Sequence, residues 1–185
     1  MQDRDTNDNI AASNSELIQT LSREYESWWS DISTGSDSYP AFVVDSSKEP
    51  ELTLMSHSWI GKDLSPWHQN AVLKGTPGTG VHSIRFAKPG LYRFELRRWP
   101  REDGGAITAK SNSGKGTILP VKKASLSIRG VDKKHTKLVE PDDTSVVFNL
   151  EITSTDPTKI TTELLDENDK RLTGAYYLYI KSTPR

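Results

Sequence analysis

From Tyr39 onward the apolar period changes to two in a series of short segments, and that period constrains the fold more than any other feature. Around Leu91 to Trp99, Tyr92, Phe94 and Leu96 fall on one face and Arg93, Glu95 and Arg97 on the other. Val146, Phe148, Leu150 and Ile152 oppose Asn149, Glu151 and Thr153 in the same way, and Ala124, Leu126 and Ile128 oppose Ser125 and Ser127. Successive side chains of a strand point to opposite sides, so each segment buries one face and wets the other. Further strands are expected over residues 41–44, 51–57, 81–86, 118–121, 159–166 and 175–181, with turn signals at Pro89-Gly90, Gly130, Pro141-Asp142 and Asp166–Asp169. About eight short strands with no helix between them predict a mainly β fold, an antiparallel β-sandwich over residues 39–185. Residues 103–116, with four glycines, are expected to form a mobile loop.

One helix precedes the strands. Ser13 and Glu16 have the spacing of a capping box, and Leu17, Leu21, Tyr25, Trp28 and Ile32 then recur at three and four residues until Gly35. The helix is expected over residues 13–35, after an Asp- and Asn-rich tail at 1–12 that is expected to be disordered. Trp28 and Trp29 are adjacent and cannot share one face.

Basic and acidic residues nearly cancel, 24 against 25, so no global field points to nucleic acid. The chain has no cysteine, which removes disulfides and thiolate chemistry. It has no apolar run near the ~20 residues that span a membrane and no signal-like h-region after Met1. No membrane partner is expected, and the chain as written is expected to stay where it is made, unless it is part of a longer exported protein.

The Gly-rich stretch 75–80 precedes a strand rather than a helix, and Gly116 follows Lys115 where a phosphate loop carries a hydroxyl residue, so both read as loops. His57, His68, His82 and His135 show no ligand spacing, and no G-x-S-x-G elbow is present. Neither a metal site nor a catalytic residue is singled out. The candidates for ligand binding are Trp67, His68, Gln69, Asn70, Arg97, Arg98 and Trp99: indoles to stack on a sugar, amides and imidazole for hydroxyls, guanidinium groups for sulfate. The alternative is internal packing, above all for Arg98, which alternation places on the apolar face and which there needs a structural partner.

Tyr25-Glu26-Ser27-Trp28-Trp29-Ser30-Asp31-Ile32, Trp59-Ile60-Gly61, Pro66-Trp67-His68-Gln69-Asn70, Tyr92-Arg93-Phe94-Glu95-Leu96-Arg97-Arg98-Trp99-Pro100-Arg101-Glu102 and Gly174-Ala175-Tyr176-Tyr177-Leu178-Tyr179-Ile180 together resemble the C-terminal region of bacterial arylsulfatases. The resemblance runs from about Leu17 to Lys181. It implies a non-catalytic accessory domain that packs on a sulfatase core through the Leu17 to Trp28 face, contributes to binding sulfated carbohydrate, or both. A detached tail with a purely structural role is the alternative, and an independent hydrolase a more distant one. The C/S-x-P-S-R motif that yields formylglycine does not occur in the chain, and the calcium ligands of that family belong to the preceding core, so no cofactor is expected here. Within such a protein, the compartment implied is periplasmic or extracellular.

Overall fold

The computed structural model describes residues 9–33, 40–45, 48–61, 68–131 and 133–183. The chain divides into two compact units, Met1–Tyr39 and Pro40–Arg185. In the first, a 3-10 turn at Ala11–Ser13 leads into α1 (Ser15–Ser33). The capping box does not form. Ser13 Oγ donates to the Ile10 carbonyl at 3.0 Å, a bond within the turn, and α1 starts two residues later than expected. None of the residues of α1 is buried, and Trp28 and Trp29 are both about half exposed. Against expectation the two share a face, with the Tyr25 ring 5.8 Å from Trp28 and 6.4 Å from Trp29, because neighbours about 100° apart both fit on a wide apolar face. Most of the predicted tail, residues 1–8, lies outside the described residues.

The second unit is a β-sandwich. Its six-stranded sheet has the order β1 (Phe42–Val44), β3 (His82–Phe86), β8 (Thr158–Leu165), β5 (Lys123–Ile128), β6 (His135–Leu138), with β9 (Arg171–Thr173) also paired to β8. The four-stranded sheet has the order β2 (Glu51–Met55), β10 (Tyr177–Ser182), β4 (Gly90–Arg97), β7 (Val146–Ile152). The pairing is antiparallel except between β1 and β3. Ten strands replace the expected eight. β6 is an edge strand with no buried residue, and β9 has three residues, so neither presents an apolar alternation to read. Residues 118–121, expected as a strand, run without one, and a six-residue helix, α2 (Gln69–Lys74), stands between β2 and β3.

The two sheets close on the faces that alternation picks out. Tyr92, Phe94, Leu96, Leu126, Ile160, Leu164, Leu178 and Ile180 have no exposed surface. Each such side chain contributes about 1.5–3 kcal/mol by leaving water. A second, smaller cluster of Trp59, Val72, Trp99 and Tyr176 fills one end. Trp59 stacks on Tyr176 at 6.2 Å between ring centroids, and glycines hold it on both sides. A Cβ at Gly174 would stand 2.6 Å from Cζ2 of Trp59, and one at Gly80 would stand 2.5 Å from its Cβ. Gly174→Ala is therefore expected to lower stability by about 1–3 kcal/mol through overpacking, read as a fall in the thermal midpoint. An unchanged midpoint would show that the indole moves aside freely.

Candidate functional site

β2 ends in a 3-10 turn at Ser56–Ser58, and the backbone N–H of Ser56 donates to the Tyr176 carbonyl at 2.9 Å, which ties this turn to the start of β10. α2 lies nearby. Its first turn follows an extended His68, and Gly75 ends it in the left-handed region at φ 64, where a Cβ would also strike the Leu119 side chain at 2.8 Å. Val72 is the residue that buries this short helix. Between the turn, α2 and β10 lies a cleft of about 180 Å³ lined by Met55, Ser56, His57, His68, Gln69, Val72, Tyr176 and Tyr177. Its buried lining residues are Ser56, Val72 and Tyr176, and its other residues include two imidazoles, an amide and a phenol, a mixture suited to a hydroxylated ring.

Tyr177 links this cleft to the outer face of the four-stranded sheet, because it stands opposite Met55 on β2 and opposite Arg97 on β4. The next position inward is Glu95, opposite Tyr179. Glu95 receives Arg93 Nη1 at 2.5 Å, Arg97 Nε at 2.8 Å and Arg101 Nη2 at 2.6 Å. Arg101 also pairs with Glu51 and lies over the Tyr179 ring at 4.0 Å. Burial would push the Glu95 carboxyl up, but hydrogen bonds from Arg101, Arg93 and Arg97 outweigh it and pull it down to about 2. Three guanidinium groups, and the Lys181 ammonium at 4.0 Å from Glu51, gather around the carboxylates of Glu95 and Glu51. Arg97 spends Nε on Glu95 and Nη2 on Thr144 Oγ1, while its buried Nη1 has no hydrogen-bond partner; the side chain is 9% exposed.

The seven sequence candidates divide. His68 and Gln69 line the cleft, whereas Arg97 lies outside its lining, on the outer face of the four-stranded sheet opposite Tyr177. Asn70 is exposed on α2 outside the lining, and Trp67 lies outside the described residues. Arg98 and Trp99 are fully buried and present no surface to a ligand. Arg98 has the structural partner that its position demands, although that partner is backbone and not a carboxylate. Its Nη groups donate to the carbonyls of Thr117 at 2.7 Å, Ala109 at 3.0 Å and Ile107 at 3.4 Å, and its guanidinium stacks on Trp99 at 4.4 Å. Trp99 Nε1 donates to the Ala106 carbonyl. These bonds, with Asp103 accepting from Gly105 N, Asn112 N and Ser111 Oγ, brace the segment expected to be a mobile loop. Sequence reading missed His57 and Tyr177, whose share in the site follows only from the pairing of β2 with β10.

Among the described residues, no group of three or more His, Asp or Glu side chains comes together as a metal site. No helix among them is long and apolar enough to cross a membrane. No family model matches the chain, and no curated protein does. Among solved structures it is similar to a ruminal GH26 endo-β-1,4-mannanase, with a TM-score of 0.39 and 12% identity over 72% of this chain and 26% of that one. It is also similar to a GH26-CBM35 β-(1,4)-mannanase from Podospora anserina, with a TM-score of 0.38 and 10% identity over 74% of this chain and 29% of that one. The chain thus spans under a third of the length of either.

Proposed function

We propose that this chain is a non-catalytic β-sandwich module of an arylsulfatase-like protein, held to a partner domain by the apolar face of α1. The exposure of that helix carries the reading. Leu17, Ile18, Leu21, Tyr25, Trp28, Trp29 and Ile32 are each 43–55% exposed in a 19-residue element with no buried residue. A stripe of this size is ordinarily covered, and full burial of such a side chain is worth about 1.5–3 kcal/mol. Glu16, Glu24, Glu26 and Asp31 outnumber Arg23 on the same helix, so the matching surface is apolar with a basic rim. Mixing the chain with a sulfatase-type catalytic domain that lacks its own C-terminal region tests this by size-exclusion chromatography. Co-elution that Leu21→Asp/Trp28→Asp abolishes is expected. Separate elution at tens of micromolar would overturn the assignment to a sulfatase partner.

A second role at the cleft, recognition of a sulfated sugar, is favoured by the polar groups of its lining, His57, His68, Gln69 and Tyr177. His68 and Gln69 would meet hydroxyls and Tyr177 the ring face. In calorimetric titration a sulfated disaccharide is expected to bind and its unsulfated parent to bind more weakly. His68→Ala/Gln69→Ala, both exposed, is expected to cost about tenfold, roughly one hydrogen bond's worth of affinity. A folded protein that ignores the sulfated sugar would end this reading.

A further inference from the structure

The sandwich carries a charge excess that the cleft does not account for. Residues 1–39 hold eight Asp and Glu against two Arg, which leaves 22 basic and 17 acidic residues in Pro40–Arg185. Much of this excess gathers on the outer face of the six-stranded sheet. There Ile84, Leu126, Ile128, Ile160, Thr162 and Leu164 point inward, and the alternate residues point out. Two carboxylates near this face are already neutralised: Glu163 by Lys134 at 2.6 Å, and Asp169 by Lys123 at 2.7 Å. Arg85, Lys159 and Arg129 are exposed and form no ion pair with any described residue. They are close neighbours. The amide of Arg129 donates to the Lys159 carbonyl at 2.9 Å, and Ser83 stands opposite Lys159, which puts Arg85 on the diagonal at about 7–8 Å. Small hydroxyl residues fill the surface beside them, with Thr161 opposite Ser127.

Like charges left this close repel one another, and an anion with several charges removes the repulsion. We propose that this face binds an extended anionic polysaccharide, with sulfate or carboxylate groups at Arg85, Lys159 and Arg129 and sugar hydroxyls on the Ser and Thr side chains. Nucleic acid is the other polyanion to consider. Among the described residues of this face no aromatic ring is available for a base to stack on, and single-stranded binders rely on such rings. The proposal does not depend on the cleft or on α1.

The test is titration of the full chain with a sulfated dodecasaccharide at two salt concentrations, beside single-stranded oligo-dT of equal charge. Binding that weakens with salt is expected, tighter for the saccharide than for the oligonucleotide. Arg85→Glu/Lys159→Glu, exposed positions that leave the fold intact by circular dichroism, is expected to weaken it more than tenfold, while His68→Ala/Gln69→Ala leaves it unchanged. Undiminished affinity in the charge-reversed variant, or equal affinity for the oligonucleotide, would overturn the proposal. An unsubstituted chain that binds the dodecasaccharide but not the sulfated disaccharide would remove the cleft reading and leave this one standing.

Discussion

Replacing Arg98 by methionine is expected to cost about 3–5 kcal/mol of folding stability, the largest effect of any single substitution considered for this chain. The guanidinium is fully buried without a carboxylate beside it, and burial lowers its pKa to about 10, still far above neutrality. Its charge is spread over three backbone carbonyls from residues 107–117, a stretch with no regular secondary structure. Methionine fills much of the volume but donates nothing, so the Thr117 and Ile107 carbonyls lose the guanidinium, at about 1–3 kcal/mol for each one wholly unpaired, while the Ala109 carbonyl keeps Trp99 Nε1 at 3.3 Å. Lysine keeps the charge and loses the fork, and is expected to recover little. Urea denaturation reads the change in midpoint, and limited proteolysis reads the loop. A midpoint within a few tenths of a molar of wild type, with residues 103–117 still resistant, would show that the loop holds itself.

Acid is expected to unfold the sandwich in two overlapping steps. His82 is buried, and burial depresses its pKa to about 4 from an unfolded value near 6.5. Between those values the unfolded chain binds the extra proton, so stability falls as pH drops from about 6.5 to about 4. Glu95 adds the second step. Its carboxyl titrates near 2 in the fold and near 4.5 when unfolded, so its contribution is complete above about 4.5 and is lost as pH falls to about 2. Each shift is worth roughly 3 kcal/mol at full effect. Urea midpoints from pH 7 to pH 2 should trace both windows. Glu95→Gln is expected to remove the lower one while destabilising the neutral protein, since Arg93, Arg97 and Arg101 then face each other around a neutral amide. A variant as stable as wild type at pH 7 would show that these arginines find other partners.

The alternation of Tyr92, Phe94 and Leu96 announced the core because burial acts on every second residue of a strand, and the structure gives each of them no exposed surface. Edge strands carry no such record. His135–Leu138 is half-buried at one residue and exposed at three, so its pairing with β5 is held by backbone bonds that any sequence can make. α2 was hidden for a different reason: six residues do not complete two turns of an apolar period. Its Gly75 stop is visible in the sequence, where the Gly-rich run 75–80 reads as a loop. At the candidate site, residue type was a poor guide to exposure. Trp99 and Arg98 have the side chains of a sugar-binding surface and serve as interior braces, whereas Tyr177 joins the site through its register between Met55 and Arg97. Long-range register of that kind is not written in local pattern.

The claim that α1 is a docking face is tested most directly by sedimentation velocity on the chain alone, from micromolar to hundreds of micromolar. An uncovered stripe of seven large apolar side chains predicts concentration-dependent self-association in the partner's absence. Leu21→Asp/Trp28→Asp should abolish it and leave the β-sandwich signal in circular dichroism unchanged. A wild-type chain that sediments as a single monomeric species across the whole range would contradict the account, because it would mean that the stripe needs no partner.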